Sequence, residues 1–195
     1  MKLPRRLALL GALSLLAGCA LLKTISAEVR SFGNWPEGRA AGSYAFERLP
    51  SQQQPLSRAA EWEALAAPAL AKAGFKPVAP GAQPDVIVAL GVRVSATATS
   101  PWDDPLWSRW NAPLYHWRFG LPPHRHPLFI ERSYEREVGV LLRDRTSGQP
   151  LFEARASSEG ATPGGDELIG GLFEAALRDF PKAQPQPHRV QVLLP

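Results

Sequence analysis

The chain has 195 residues, of which 45% are hydrophobic, and a formal net charge of +4. This length suits one domain that buries its own core. Three of the basic residues, Lys2, Arg5 and Arg6, stand at the start, so the remaining sequence is close to neutral. Because no long basic run occurs elsewhere, the composition excludes nucleic acid as the expected partner.

The first residues have the organisation of a secretory signal. The uncharged run 7–17 follows the basic start and is shorter than the roughly 20 apolar residues that span a bilayer. A basic start, a short apolar run and small residues behind it are typical of a cleaved signal peptide. We therefore predict a signal peptide over residues 1–18.

The only cysteine of the chain, Cys19, closes the sequence Leu16-Ala17-Gly18-Cys19. This sequence resembles the lipobox of bacterial lipoproteins. The resemblance implies that the Cys19 thiol carries a covalent lipid and that cleavage makes Cys19 the new N-terminus. Two or three acyl chains on one residue form a stable anchor, whereas a single chain holds only marginally. No other cofactor is expected.

The same resemblance implies where the protein lies. Ala20, and not aspartate, follows the cysteine, which favours the outer membrane over the inner one. Residues 19–23 then form the lipidated residue and a short tether. We expect a protein anchored in the outer membrane through its lipid and facing the periplasm.

Hydrophobic periodicity predicts a strand–strand–helix unit after the tether. Alternation indicates a strand over 24–32 and a second, shorter strand over 43–46. Apolar residues at helical spacing then indicate a helix over 58–73, in which Pro68 is a candidate kink.

The later elements are predicted from the same patterns. The nearly continuous apolar run at 85–94 indicates a central strand. Residues 134–143 and 151–157 form a hairpin around the turn signal at 147–148, and residues 167–180 form an amphipathic helix.

The predicted order is β-β-α-β-(long loop)-β-β-α. It indicates an α+β fold in which two helices pack on one face of a largely antiparallel sheet. We expect a single domain over residues 24–182. The Pro-rich tail 183–195 leaves two alternatives open, an additional edge strand or a segment that stays unpaired.

Four blocks of sequence carry a resemblance to a known family. They are GSYAF with the following LP at 42–50, KAGF at 72–75, PDVIVA at 84–89 and VGVLLRDRTSGQPLFEARAS at 138–157. In this order they resemble the bacterial lipoproteins grouped as domain of unknown function 4136, from about Ile25 to Pro181. The resemblance implies a fold and an envelope location but no activity.

The segment 100–129 is the most unusual part of the sequence, with four of the six Trp and three of the four His. Long loops are often functional, and this one is too aromatic for a typical disordered segment. Trp, Tyr and Arg are enriched at binding hot spots, and aromatic rings also suit a membrane interface. The sequence therefore predicts a contact surface for an envelope protein or for lipid headgroups. Its residues are Trp102, Trp107, Arg109, Trp110, Tyr115, Trp117 and Arg118.

Two other interpretations of this segment stay open. His116, His124 and His126 are of a ligand type that zinc accepts, and Asp103 or Asp104 would complete a tetrahedral set. This alternative makes the protein a zinc-binding protein or a metal-dependent enzyme, although the spacing matches no familiar zinc motif. In the other interpretation the Trp side chains cover one end of the protein's own core.

The sequence shows no pattern for nucleophilic catalysis. It has no Gly-x-Ser-x-Gly elbow and no second cysteine. Asp85 follows Pro84 at the start of a strand, and Asp144 lies in a turn, so both are interpreted as turn residues with structural roles. We predict a non-catalytic binding or structural protein, not an enzyme.

Overall fold

The structure, a computed structural model, describes residues 23–99 and 131–194. The strands are β1 Thr24–Gly33, β2 Ser43–Glu47, β3 Lys76–Pro77, β4 Val86–Thr99, β5 Glu131–Asp144, β6 Pro150–Gly160 and β7 His188–Leu193. Helix α1, Ala59–Lys72, lies between β2 and β3, and helix α2, Asp166–Ala176, lies between β6 and β7. A short 3₁₀ helix at Pro50–Gln53 precedes α1.

The strands form one sheet in the order β3-β2-β4-β5-β6-β1-β7. Strand β2 is parallel to both β3 and β4, and the other neighbours are antiparallel. The α+β class with two helices is confirmed, but the prediction of a largely antiparallel sheet is wrong, since the sheet is mixed. Helix α1 carries the chain back along the sheet after β2, so β4 runs in the same direction as β2.

The predicted order of elements is not confirmed, because the structure has two strands, β3 and β7, that the predicted order lacks. Strand β3 is two residues long and contains a proline, so it has no periodicity to detect. Strand β7 pairs with β1 over Thr24–Val29, so of the two alternatives for the tail the structure has the edge strand. The tail thereby completes the sheet instead of leaving β1 as its edge.

The core lies between one face of the sheet and both helices. Side chains alternate along the strands, so that Val86 and Val88 of β4 point towards the helices and are fully buried. Leu70 of α1 and Phe173 of α2 are fully buried in the same cluster. Each such side chain contributes about 1.5–3 kcal/mol by leaving water. The opposite face of the sheet, called the open face below, is not covered by any described element.

The C-terminal ends of both helices follow from local backbone geometry. Helix α1 continues through Pro68 without a break, and Gly74 behind it adopts a φ of +94°. Helix α2 ends at Ala176, four residues before the predicted end at Phe180. The N–H groups of Arg178 and Phe180 bond to carbonyls three residues back, at 3.1 and 3.2 Å, and this tightening ends the α-helix. Within the described ranges, neither helix has the length and apolarity needed to cross a membrane.

Candidate interaction surface

The strand registers bring several chain ends to one end of the sheet. Thr24, the first residue of β1, pairs with Leu193 of β7. At the same end, Thr99 pairs with Glu131, which are the last residue of β4 and the first of β5. Counted along the ladders at about 3.3 Å per residue, these ends lie within roughly 10 Å of one level. We call this the Thr24 end.

The predicted contact residues enter the fold at this end. Residues 100–130 join Thr99 to Glu131, and residues 19–23 precede Thr24. Cys19, the seven predicted contact residues and the three candidate zinc ligands lie outside the described residues. The two parts of the sequence that carried the functional prediction are therefore both connected to the Thr24 end.

A buried arginine braces the inner face near the Thr24 end. Arg136 on β5 is 4% exposed, and burial lowers the pKa of its guanidinium group. Its Nε donates to the carbonyl of Ser158 at 3.3 Å and its Nη1 to that of Thr162 at 3.1 Å. A Cβ at Gly160 would lie 2.8 Å from Nη2, so a larger residue there would require the guanidinium to move. Arg136 thus holds the connection between β6 and α2.

The open face is charged at its margins and apolar in a small central hollow. A shallow hollow of about 500 Å³ lies over β4 and β5. Its outward-facing lining consists of Ala89, Gly91, Arg93, Glu137, Gly139, Leu141, Glu153 and Arg155. Gly91 and Gly139 are direct cross-strand partners at its centre.

The rim of this hollow is made of ion pairs. Arg93 Nη2 lies 2.7 Å from Glu137 Oε2, and Arg155 Nε lies 2.8 Å from Glu153 Oε1. The side chains are between 25% and 62% exposed, so solvent screens these pairs and each is worth little for folding. They do, however, leave the rim close to electrically neutral.

The other end of the sheet is closed by a polar network around Arg39. Arg39 Nη1 donates to Asp144 Oδ2 at 2.8 Å, and its Nη2 donates to the backbone carbonyl of Asp85 at 3.2 Å. The guanidinium also lies over the ring of Trp35, 5.3 Å from the ring centre. The indole Nε1 in turn donates to the carbonyl of Arg39 at 2.9 Å. Arg39 therefore joins the β1–β2 connection to the start of β4 and the end of β5.

Both carboxylates in this network are held ionised. The N–H of Ser147 bonds to Asp144 at 2.8 Å, and together with Arg39 it lowers the pKa of Asp144 to about 2. The pKa of Asp85 is lowered mainly because the backbone N–H of Ser43 donates to Oδ2 at 2.7 Å. Carboxylates that stay ionised and accept hydrogen bonds from turn N–H groups stabilise those turns and do not exchange protons near neutral pH.

The structural interpretation of Asp85 and Asp144 agrees with these contacts, but the sequence did not identify Arg39. Arg39 lies 105 residues before Asp144 in the chain, and no local pattern links them. The neighbour Arg143 instead pairs with Glu47 of β2.

The described residues offer no alternative metal site. They contain no group of three or more His, Cys, Asp or Glu side chains arranged around a common point. His188, the histidine of β7, has its Nε2 2.6 Å from Asp179 Oδ2. The zinc alternative at His116, His124 and His126 stays a prediction, testable by zinc retention after dialysis of the full chain and of the triple alanine variant.

Comparison with known proteins gives one family and 20 solved chains with structural similarity. The family model "Domain of unknown function (DUF4136)" matches residues 29–182. No curated protein matches the chain.

Among solved structures, a PelC dodecamer from Paraburkholderia phytofirmans is 14% identical with a TM-score of 0.44, over 77% of this chain and 94% of that chain. A PDZ domain protein from Parabacteroides distasonis is 11% identical with a TM-score of 0.49. That match covers 88% of this chain but only 39% of the other, so this chain spans well under half of it. At TM-scores below 0.5, these likenesses support no inference about this chain.

Proposed function

The chain belongs to the DUF4136 family, to which no activity is assigned, and from this premise we propose that it is a lipid-anchored, non-catalytic binding module of the cell envelope. In this proposal Cys19 carries the lipid, and the protein faces the periplasm from the outer membrane. Residues between Trp102 and Arg118 contact lipid headgroups or a neighbouring envelope protein.

The observation that carries the proposal is the common end of the sheet. The chain after Cys19 enters the sheet at Thr24, and the aromatic segment leaves at Thr99 and returns at Glu131. The registers of β1 with β7 and of β4 with β5 bring these points to one level. A domain held by a lipid at this end would present the aromatic segment to the same membrane.

The length of the tether supports the same arrangement. Five residue steps separate Cys19 from Thr24, which span at most about 18 Å when fully extended. That is shorter than the headgroup-to-headgroup thickness of a bilayer, about 40–45 Å. The Thr24 end would therefore stay near the surface, where the amphipathic rings of Trp and Tyr are favoured.

The two described carboxylates whose pKa values are lowered have contacts that are typical of a structural role. The carboxylates of Asp85 and Asp144 accept hydrogen bonds from backbone N–H groups, and the carboxylate of Asp144 also accepts one from Arg39. They lie at the opposite end of the sheet from Thr24. We therefore assign them to holding the fold and assign binding to the Thr24 end.

Labelling with a radioactive fatty acid in cells tests the proposal. The unchanged chain should take up label and sediment with the outer membrane. Cys19→Ser should take up none and should be recovered uncleaved or soluble, while the neighbouring change Ala20→Ser should keep the label. If Cys19→Ser is labelled and membrane-bound like the unchanged chain, the anchor proposal is wrong.

A further inference from the structure

Two glycines face each other at the centre of the open face. Gly91 and Gly139 are direct partners in β4 and β5, the two 14-residue strands of the sheet. Glycine inside a strand weakens the strand, because it loses the most conformational freedom on folding and has no side chain to pack. A pair of them side by side requires a reason.

The described part of the chain supplies no such reason. Neither glycine has the left-handed φ that excludes other residues, and a Cβ added at either would meet no described atom within 4 Å. Gly33 is different, since its φ is +112° and a Cβ there would lie 2.5 Å from the carbonyl oxygen of Leu151. Strand glycines that the fold itself does not need often mark a place where another backbone approaches closely.

We propose that this other backbone is the open face of a second copy of the chain. The two sheets would face each other across a two-fold axis that runs parallel to the strands between β4 and β5. Packed sheets of this kind keep their strand directions within about 30° of each other.

This axis makes the face complementary to itself. A rotation about it places β4 of one copy opposite β5 of the other at the same height along the strands. Because Arg93 and Glu137 are register partners, Arg93 of each copy then faces Glu137 of the other. Gly91 faces Gly139 where the backbones approach most closely.

The apolar part of the hollow matches in the same way. Ala89 and Leu141 are also register partners, so Leu141 of one copy meets Ala89 of the other. A small side chain opposite a large one allows the two faces to interdigitate, so that the backbones can come closer at the glycines than the usual distance of about 10 Å between packed sheets.

The shared face is at the lower end of what a stable pair needs. Across this axis β4 and β5 overlap fully, whereas β6 lies opposite the short β2, β1 lies opposite the short β3, and β7 has no strand opposite it. Strands about 4.8 Å apart then share on the order of 650 Å² on each copy, and stable interfaces bury about 600–1,000 Å² on each partner.

Charges of both signs lie on this face. Glu47 of each copy would face Glu153 of the other at one level, and the ion-pair partners Arg143 and Arg155 offset the repulsion between these carboxylates.

The orientation of the pair rests on the proposed function. A two-fold axis parallel to the strands points the Thr24 ends of both copies the same way. Two chains lipidated at Cys19 could then be anchored in one membrane while their open faces are in contact. The pairing itself does not need the lipid.

Two charge reversals on the full chain test the pairing. In copies that carry Arg93→Glu, the introduced carboxylate would face Glu137 of the other copy. In copies that carry Glu137→Arg, the introduced guanidinium would face Arg93, so neither variant should pair with itself. A mixture of the two variants should pair, because each reversed charge then faces its opposite. The measurement is co-purification of two differently tagged copies from detergent-solubilised membranes.

We expect each single variant to recover its own second tag at least about tenfold less than the unchanged chain, and the mixture to regain most of the recovery. Lys72→Glu, which reverses an exposed ion-paired cation on α1, is the matched control and should pair normally. Circular dichroism checks that every variant is folded.

The inference is overturned if folded unchanged copies do not co-purify, if only a different protein is recovered, or if Arg93→Glu pairs like the unchanged chain. Pairing should persist in Cys19→Ser, for which the tagged copies are purified from a detergent-treated whole-cell lysate because this variant is expected to leave the membrane. Failure of the anchor and failure of the pairing are therefore separate results.

Discussion

Gly91 and Gly139 lie directly opposite each other in the middle of the two longest described strands. Because neither has a side chain, their backbone forms the floor of a hollow of about 500 Å³ on the open face of the sheet. On the inner side of the same strands, Val88 and Val140 are packed against the core and are at most 1% exposed. The inner face of these two strands contributes to the stability of the fold, and the proposed pairing of two copies uses their outer face. A substitution at either glycine should affect stability and pairing in opposite directions.

Gly91→Val is expected to stabilise the isolated fold. Valine suits a strand and would meet no described atom within 4 Å at this position, so we expect a gain of about 0.5–1 kcal/mol in the free energy of unfolding. The same side chain should fill the hollow and reduce pairing of two copies. Urea denaturation and co-purification measure the two effects.

Gly33→Val is the control for this substitution. Its left-handed φ of +112° and the 2.5 Å approach to Leu151 require glycine, and we expect a loss of about 1–3 kcal/mol. If Gly91→Val is as destabilising as Gly33→Val, the hollow is not free space in the folded protein.

The elements that depend on local pattern could be predicted from the sequence. The apolar run at Val86–Val88 indicates a buried strand, and the turn signal at Ser147–Gly148 indicates the hairpin of β5 and β6. Both are present. The parallel pairing of β2 with β4 could not be predicted from strand periodicity, because alternation along a strand does not encode the direction of its neighbour.

For the candidate functional features as well, local patterns could be identified from the sequence and long-range arrangements could not. The lipobox and the aromatic segment are short-range patterns, and they could be identified as candidates. That both connect to one end of the sheet depends on registers between distant strands. The facing of Gly91 and Gly139, 48 residues apart in sequence, likewise depends on the register of β4 with β5 and has no local signal.

Arg39→Ala should destabilise the end of the sheet opposite the Thr24 end, where Arg39 contacts Asp144. The substitution removes hydrogen bonds to Asp144 and to the carbonyl of Asp85, and the stacking on Trp35. We expect a loss of about 1–2 kcal/mol, because these contacts are partly exposed. Arg30→Ala removes an exposed arginine 3.9 Å from Glu28 and should cost no more than about 0.5 kcal/mol. Equal losses in urea denaturation would refute a special role for Arg39.

Acid should weaken the fold partly through Asp144. The pKa of Asp144 is lowered from 3.8 to about 2 in the folded chain. Its contribution to stability is therefore complete well above pH 3.8 and is lost as the pH falls towards 2. Between about pH 5 and pH 2, the unchanged chain should therefore lose free energy of unfolding more steeply than Asp144→Asn. Parallel acid-dependence curves for the two proteins would contradict this assignment.

Removal of residues 188–195 should destabilise the protein, although they lie beyond the family match at 29–182. Val190 and Val192 of β7 are 8% and 2% exposed, and β7 covers the edge of β1. Losing these two side chains alone should cost about 3–6 kcal/mol, measured as a drop in the urea midpoint. A double change of the outward-facing Arg189 and Gln191 to Ala should leave the midpoint nearly unchanged. An unaffected midpoint in the truncated chain would mean that β7 contributes no stability.

Photocrosslinking in living cells, with the probe placed either at Trp107 or at Ser147, tests the central claim most directly. Trp107 lies in the segment that joins Thr99 to Glu131 at the Thr24 end, and Ser147 lies in the exposed turn at the opposite end. The proposed function predicts phospholipid or envelope-protein adducts from the Trp107 probe and none from the Ser147 probe, in chains that are folded and lipidated. Absence of adducts at Trp107, or equal adducts at both positions, would contradict the proposal that the Thr24 end is the binding end.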